Sequence, residues 1–385
     1  MIQRTICFFA ALIFFMHNIT AQKTEVNSIQ WKIAGSLPAT NGQQETLGVA
    51  GPIGGVHNDV LIIAGGANFP DGMPWLGGKK KYNDDVYVMK KKKDSLVHYK
   101  TFKLPFSIAY AATCSTPQGV LSVGGENENG IIDKAFFLQW NAAADNINIK
   151  QLPSLPAAVT NAAVVFNNNK IYLAGGESTN DVSNQFLVLD LNDSHAGWKK
   201  LPSLPKPISH TVMLVQSKSV DDCIYIFGGR KKNAGGVSDL YSSTLQFDLK
   251  TKQWSEKKSL PYALSAGTGI VISSNSIVLF GGDAGETFHK TEALIAAVNK
   301  ETNEEKKKML NEEKINLQST HPGFCRQVLL YDTKKDKWKE LDCIPFATPV
   351  TTTVIEWNGD VIIPSGEIKA GVRTPRILLG KIHLK

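Results

Sequence analysis

The run Ile171–Gly176, IYLAGG, decides the fold because close copies of it recur along the chain. Each copy is a short apolar stretch rich in Val and Ile that ends in Gly-Gly, or in Ser-Gly in the last copy. The six copies end at Gly66, Gly125, Gly176, Gly229, Gly282 and Gly366. Their spacings of 59, 51, 53, 53 and 84 residues indicate a repeated unit, which is typical of propellers and solenoids.

Other features of the sequence keep the same period and predict four strands in each unit. The first strand follows a Leu-Pro or Ile-Pro pair, and the second is the apolar run into the two glycines. The third ends near Tyr-Asp or Phe-Asp and the fourth carries a Trp, as in the near copies Leu245–Trp254 and Val328–Trp338. Continuous apolar runs of this length are typical of strands buried on both faces. Four-stranded units of ~50 residues predict an all-β, six-bladed kelch-type β-propeller.

The two ends of the chain are complementary. The last unit has no Trp-bearing fourth strand, whereas Asn27–Pro38, NSIQWKIAGSLP, is a fourth strand with no first three. We therefore expect the N-terminal strand to complete the last blade, which leaves no open sheet edge. Residues 22–385 then form a single propeller domain.

The spacing of 84 residues identifies an insertion in the fifth unit. Residues 286–317 are rich in Glu, Lys, Ala and Leu, which predicts one or two helices between the second and third strands of blade five. Inserts of this length usually cover a site or an interface. The alternative is a surface decoration with no role in the site.

The N-terminal segment has the pattern of a secretory signal peptide, residues 1–21. A short basic start precedes the apolar core Thr5–Met16, and Ala21 is the expected last residue before cleavage. The apolar core is too short to span a bilayer comfortably, so we expect an exported protein with no stable membrane insertion.

Composition and charge restrict the partners. The chain has 385 residues, of which 42% are hydrophobic, and a formal net charge of +7. Its lysine runs fall in apparent loops or in the helix-like segment without interleaved aromatic residues, so we expect no nucleic-acid partner. A mild positive field favours an anionic small substrate. Outside the expected signal peptide the cysteines are Cys114, Cys223, Cys325 and Cys343. They form no CxxC pair, and their spacing specifies no disulfide bond.

The residue after each glycine turn should face one mouth of the central channel. The six residues are Ala67, Glu126, Glu177, Arg230, Asp283 and Glu367, and all except Ala67 are ionisable. The set predicts a polar pocket at this mouth, although simple polar turns would show the same pattern.

Several chemistries lack their sequence motifs. No Gly-rich phosphate loop lies between a strand and a helix, and no GxSxG elbow is present. The eight histidines show no metal-ligand spacing, and His210, at the apolar start of a strand, is assigned a structural role. What remains is Glu367 with Arg373 six residues later. A tuned Glu can transfer a proton and an Arg can grip a carboxylate, although such pairs are also common on surfaces.

The segments around this pair resemble a known family. SGEIKAGVRTP (Ser365–Pro375), IAGSLP (Ile33–Pro38), GGVHNDVLIIAGGANFPDG (Gly54–Gly72) and the helical insertion are similar to the N-acetylneuraminate epimerases. The resemblance implies an isomerase that interconverts the α and β anomers of free sialic acid without a cofactor or metal. It also implies that Glu367 is the proton acceptor and Arg373 its partner. Ser365 replaces the family's Asn, and the shifted order of the units implies a circularly permuted branch.

The side chains expected at the channel mouth are the candidates for the substrate site. We expect the anionic sugar to contact Arg230, Asn68 and Phe69, together with Glu126, Glu177 and Asp283 of the ring. The family implies a periplasmic protein. The general acid is not identified, and the oligomeric state stays open, with a homodimer as one option. Two other functions remain: a non-enzymatic kelch propeller that binds a glycan or protein, and a related enzyme that processes sialosides.

Overall fold

The chain forms six four-stranded antiparallel sheets around a common axis, in a computed structural model that describes residues 26–39, 46–216 and 222–384. The first strands of neighbouring blades lie side by side around the central channel. This arrangement confirms the predicted six-bladed β-propeller. The expected signal peptide, residues 1–21, lies outside the described residues, and the kelch subtype stays a prediction.

Blades one to three follow one another without interruption, each with its strands in chain order from the channel outward. The strands of blade one are Ile53–His57, Val60–Ala64, Asp85–Lys92 and Ser95–Lys103. Those of blade two are Ala112–Thr116, Gly119–Val123, Ala135–Asn141 and Asn146–Leu152. Those of blade three are Ala163–Asn167, Lys170–Ala174, Phe186–Asp190 and Lys199–Lys200.

Blades four to six complete the ring, and only blade six departs from chain order. The strands of blade four are Val212–Gln216, Cys223–Phe227, Thr244–Asp248 and Gln253–Lys257. Those of blade five are Thr268–Ser273, Ser276–Phe280, Gln327–Asp332 and Lys337–Cys343. Those of blade six are Ile355–Trp357, Asp360–Pro364, Arg376–Leu384 and, outermost, Val26–Ser36.

Blade six is closed by the N-terminal strand, as predicted. Val26–Ser36 runs antiparallel to Arg376–Leu384, with Trp31 opposite Gly380. The glycine leaves room for the indole, since an added Cβ there would come within 2.9 Å of the Trp31 ring. The Trp31 ring also meets Phe280 of blade five edge-on, with ring centres 5.5 Å apart. The two ends of the chain therefore help to hold blades five and six together.

The core lies between adjacent blades rather than within any one of them. Residues of the second strands, such as Val60–Ala64 and Ser276–Phe280, are buried along their whole length. Both faces of each sheet pack against a neighbouring blade, which explains why these strands have continuous apolar sequences.

The glycine turns join each blade to the next. In blade one, Gly65 has φ +63°, and a Cβ there would collide with the Ile108 carbonyl oxygen of blade two. The N–H of Gly66 donates to that same carbonyl at 2.7 Å. In blade six Ser365 takes the first position at φ +54°, and its Oγ lies 2.9 Å from both the nitrogen and the carbonyl oxygen of Val49 in blade one. The Gly366 N–H still donates to the Val49 carbonyl at 2.8 Å, so the serine adds side-chain hydrogen bonds to the backbone bond of the turn.

The connections from second to third strands carry small additional elements at one mouth. Four of them form two-stranded ribbons: Ala67–Asn68 with Lys81–Tyr82, Glu126–Asn127 with Gly130–Ile131, Arg230–Lys231 with Asp239–Leu240, and Glu367–Lys369 with Val372–Arg373. The connection in blade one also carries a 3-10 helix, Pro74–Leu76, whereas a second 3-10 helix, Leu191–Ala196, lies between the third and fourth strands of blade three.

The predicted insertion in blade five, residues 286–317, is a pair of helices. Helix α1 spans Glu286–Lys300 and helix α2 spans Glu304–Ser319. Asn303 caps α2 by accepting a hydrogen bond from the Lys306 N–H at 3.0 Å. Within the described ranges, neither helix has the length and apolar character needed to cross a bilayer.

Candidate active site

The residue after each glycine turn occupies an equivalent position in all six blades. Each pairs in both directions, through backbone hydrogen bonds of 2.7 to 3.0 Å, with a residue that precedes the first strand of its own blade. The pairs are Ala67–Ala50, Glu126–Ala109, Glu177–Thr160, Arg230–Ser209, Asp283–Ser265 and Glu367–Val350. The residues that the repeat pattern selected therefore occupy the same position in all six blades, at one mouth of the channel.

In each blade, the residue that follows this backbone partner belongs to a second ring. These six residues have φ between +50° and +63°: Gly51, Tyr110, Asn161, His210, Ala266 and Thr351. The N–H of each second-ring residue donates to the carbonyl of the second-ring residue in the preceding blade at 2.7 to 3.2 Å, which closes a circle of six hydrogen bonds. Because the backbone groups are used within the circle, only the side chains of these residues remain to meet a ligand.

A cavity of about 540 Å³ lies at this mouth, which is the size of a small-molecule site. Seven of the eight predicted site residues line it: Glu367, Arg373, Arg230, Phe69, Glu126, Glu177 and Asp283. Asn68 does not line it, because its amide donates to the Gly48 carbonyl at 3.0 Å and is held in the wall. Among the described residues, no three His, Cys, Asp or Glu side chains are grouped as a metal site requires.

Glu367 and Arg373 form a pair on one side of the cavity. They are opposite residues of the ribbon in blade six, and Arg373 Nη2 lies 3.3 Å from Glu367 Oε2. The other carboxylate oxygen, Oε1, accepts a hydrogen bond from the Gly371 N–H at 2.7 Å. Burial raises the pKa of Glu367, and the opposing effects of Arg373 and Gly371 do not cancel it. The guanidinium of Arg373 stacks 4.6 Å from the centre of the Phe69 ring.

Glu177 and Arg230 form a second pair across blades three and four. Glu177 Oε1 accepts a hydrogen bond from the Ser209 hydroxyl at 2.6 Å and lies 3.2 Å from His210 Nδ1 and 3.7 Å from Arg230 Nη2. Burial acts to raise the pKa of Glu177, but these partners outweigh it and lower the pKa overall. Burial and the Arg230 charge lower the pKa of His210. Arg230 stacks over Phe288 at 4.9 Å.

Lys80 and Glu126 belong to a third group, between blades one and two. Glu126 Oε1 accepts a hydrogen bond from the Tyr82 hydroxyl at 2.7 Å, and Lys80 Nζ lies 3.1 Å from the same oxygen. The ammonium also lies 4.9 Å from the centre of the Tyr110 ring. This group places one cation against an aromatic ring in the cavity wall.

The helical insertion contributes to the cavity wall, so it is more than a surface decoration. Phe288 and Ile295 of α1 and Gln318 of α2 line the cavity. Both oxygens of Glu292 accept hydrogen bonds from Ser238 of blade four, each at 2.7 Å. Asp283 lies just before α1 and accepts from the Gly285 N–H at 2.8 Å. The insertion is therefore fixed to the rim of the neighbouring blade.

The residues of the second ring that line the cavity were not among the predicted site residues. A signal was available, since Tyr110, Asn161 and His210 each stand five residues after the proline of a Leu-Pro pair. His210, assigned a structural role from sequence, both lines the cavity and contacts Glu177. Lys80 belongs to one of the lysine runs that the sequence places in apparent loops, and it lies against Tyr110 and Glu126.

The fold and this polar cavity define a six-bladed propeller with a candidate small-molecule site at one mouth. A family model described as N-acetylneuraminate epimerase matches residues 16–149 and 152–385. The chain therefore belongs to the N-acetylneuraminate epimerase family. The order of its units relative to other members, read as a circular permutation, stays a prediction.

Curated relatives named N-acetylneuraminate epimerase are similar to part of the chain. The protein from Brucella melitensis is 27% identical over 252 residues, which are 64% of this chain and 62% of that protein. The protein from Salmonella typhimurium is 26% identical over 227 residues, or 58% of this chain and 56% of that protein. The chain thus matches less than two thirds of the length of these relatives.

Proposed function

We propose that this protein interconverts the α and β anomers of free N-acetylneuraminate without a cofactor. The observation that carries the proposal is the Glu367–Arg373 pair in the cavity wall. Burial raises the pKa of Glu367, which suits a carboxylate that must accept and return a proton near neutral pH. The names of the relatives and the family model support sialic acid as the substrate.

Arg373 is the better of the two candidate arginines for the sugar carboxylate. Its side chain is only 5% exposed, and its Nε and Nη1 are buried without a hydrogen-bond partner among the described residues. Buried donors without partners are rare in proteins, so they favour a ligand that supplies acceptors. Arg230 has one such nitrogen, Nε, in the described part of the chain, and its Nη2 is engaged at 3.3 Å from His210 Nε2 and 3.7 Å from Glu177 Oε1.

The proposed reaction opens and closes the sugar ring. Glu367 takes the proton from the anomeric 2-hydroxyl, the bond from C2 to the ring oxygen breaks, a general acid or a water protonates the ring oxygen, and the open 2-keto acid forms. Closure on the other face of the carbonyl returns the protons and gives the other anomer. Arg373 holds the carboxylate next to the reacting carbon throughout.

The proposal is tested by proton NMR on freshly dissolved α-anomer, with and without the purified protein. We expect the protein to accelerate the approach to the anomeric equilibrium. An unchanged rate would reject the proposal and favour a propeller that only binds. The same experiment on a sialoside separates the third function, because a sialoside-processing enzyme would release a product of different mass.

Location and assembly stay predictions. Export is expected from the signal pattern in residues 1–21 and a periplasmic location from the family, and fractionation of cells that express the full chain would test both. A homodimer is one option for the assembly, and light scattering on the purified protein would decide it.

A further inference from the structure

Ring opening needs a proton donor for the ring oxygen as well as a base for the hydroxyl. We propose that Tyr110 is this general acid, acting opposite Glu367, and that Lys80 is a positioning residue that holds the phenol and favours its anion. The inference rests on the proposed function and adds to it a residue that the family resemblance did not supply.

The first argument is the space into which Tyr110 fits. Blade one carries the smallest side chains at this mouth, Gly51 in the second ring and Ala67 after the glycine turn. A Cβ added at Gly51 would collide with the ring of Tyr110, so the phenol lies directly over that glycine. Gly51 stands between blade two and blade six in the circle of hydrogen bonds. The phenol therefore leans from blade two toward the Glu367–Arg373 pair.

The second argument is the charge around the phenol. Burial raises the pKa of Tyr110, and the negative charge of Glu367 acts in the same direction, so the hydroxyl keeps its proton at neutral pH. The positive charges of Lys80 and Arg373, and a hydrogen bond with Arg373, act to lower the pKa. Lys80 lies 4.9 Å from the ring centre. Two cations stabilise a phenolate more than a neutral phenol, and so they favour the species that forms when the proton leaves.

Other proton donors of the cavity wall fit less well. The nitrogens of His210 face Glu177 and Arg230, at 3.2 and 3.3 Å, in the opposite part of the cavity. His321 Nδ1 accepts from the Gly323 N–H at 3.0 Å, and the charges that act on this ring come from Asp283 and Lys369.

Lys80 is itself a poor donor. Burial acts to lower its pKa, but Tyr110 and Glu126 raise the pKa overall. The ammonium therefore holds its proton more firmly than an ordinary lysine does.

The proton balance is complete with these two groups. In the opening step the 2-hydroxyl proton passes to Glu367, the bond from C2 to the ring oxygen breaks, and the ring oxygen takes the proton of Tyr110. The products are the open keto acid, a neutral Glu367 and a Tyr110 phenolate. In the closing step the hydroxyl on the open chain returns its proton to the phenolate as its oxygen attacks C2. Glu367 returns the other proton to the carbonyl oxygen, and both groups are restored.

The test is Tyr110→Phe, assayed by anomer exchange with free N-acetylneuraminate. General acid catalysis contributes about 10²- to 10⁴-fold, so we expect kcat to fall by about 100-fold or more. KM should change by less than about threefold, because the ring is kept and only the reacting hydroxyl is lost. Tyr241→Phe is the matched control, since Lys206 stacks 4.2 Å from that ring outside the cavity. It should retain the wild-type kcat.

A second replacement, Tyr110→3,5-difluorotyrosine, keeps the hydroxyl and makes it more acidic. We expect activity to be retained at acidic and neutral pH and lost at a lower alkaline pH than in the wild type. An unchanged pH profile would overturn the proposal, as would Tyr110→Phe with kcat within threefold of the wild type. Either result in an active wild-type protein rejects Tyr110 alone, whereas an inactive wild type rejects the proposed function as well.

Lys80 is tested by a pair of variants. Lys80→Met should lower kcat about tenfold through loss of the cation near the developing phenolate. Lys80→Arg keeps the cation and should restore most of the activity. Equal kcat values for the two variants would overturn the role of Lys80.

Discussion

The cavity contains two carboxylate–guanidinium pairs that look alike but differ in their surroundings. In both pairs the guanidinium stacks on a phenylalanine: Arg373 on Phe69 and Arg230 on Phe288. Glu177 lies close to three donors, namely Ser209, His210 and Arg230. Within the described residues, Glu367 has only two: the Gly371 N–H and one nitrogen of Arg373 at 3.3 Å. Burial is the largest single influence on both carboxylates, and it acts to raise each pKa. The donors around Glu177 together outweigh burial and lower its pKa, whereas those around Glu367 do not, so the pKa of Glu367 is raised.

We infer from this difference that Glu177 belongs to a structural ion pair and that Glu367 is the proton acceptor. A carboxylate with several donors holds its negative charge too firmly to accept a proton at neutral pH. A buried carboxylate with few donors is poised to exchange one. The residue types are the same in both pairs, so the number of donors around each carboxylate distinguishes their expected roles.

Glu367→Gln should have the largest effect on activity. The amide cannot accept the proton, so we expect kcat to fall by about 10²- to 10⁴-fold in the NMR exchange assay. The folded protein should be as stable as the wild type or more stable, because a buried charge is removed. Full activity in this variant would reject the assignment of Glu367, and a lower melting temperature would contradict its raised pKa.

Arg373→Lys should weaken substrate binding. Lysine keeps the charge but loses the planar set of donors, and hydrogen bonds to charged groups contribute about 1.5–3 kcal/mol, so we expect KM to rise about 10- to 100-fold. The matched control is Arg230→Lys, for which a smaller rise in KM is expected because Arg230 is already engaged by Glu177 and His210. Equal effects of the two variants would show that the substrate uses both arginines.

Glu177→Gln should affect stability more than activity. The variant weakens the interactions with Ser209, His210 and Arg230, so we expect about 2 kcal/mol less free energy of unfolding at neutral pH. Because the folded pKa of Glu177 is lowered, its contribution is present above the ordinary value of 4.5 and is lost as the pH falls through the folded pKa. Urea unfolding of both proteins at several pH values should therefore show a difference that shrinks in acid. A difference independent of pH would contradict this account.

Ser365 gives the smallest expected effect and tests the junction between blades six and one. Ser365→Ala keeps φ at +54° but removes the hydroxyl that bonds Val49 and Thr374, so we expect a loss of about 1 kcal/mol in the free energy of unfolding. Ser365→Gly restores the residue of the other blades and should cost less, because glycine adopts this φ without strain. Chemical denaturation of both variants measures the order. The reverse order would show that backbone strain at residue 365 matters more than its hydrogen bonds.

The sequence predicted the fold well because the signals that determine it are local and repeated. The apolar runs, the glycine turns and the unpaired strand Asn27–Pro38 each predicted a feature that the structure confirms. The position of Glu367 after the sixth turn followed from the same period. These features depend on the order of residues along one strand or turn, which is what a sequence displays.

The remaining parts of the site depend on contacts between blades, which the repeat does not show. The opposite pKa shifts of Glu177 and Glu367 arise from neighbours in other segments, which for Glu177 include Ser209 and His210. Tyr110 lies over Gly51, a residue 59 positions away. The amide of Asn68 turns to the Gly48 carbonyl instead of the cavity, which no local pattern predicts.

The most direct test of the central claim is a titration of the two carboxylates in the same protein. The Cδ signals of Glu367 and Glu177 can be followed by NMR in protein labelled with ¹³C-glutamate and assigned with the Glu367→Gln and Glu177→Gln variants. We predict that Glu367 titrates above the ordinary value of 4.5 and that Glu177 stays ionised well below it. Two carboxylates that titrate together, or in the reverse order, would contradict the assignment of Glu367 as the proton acceptor.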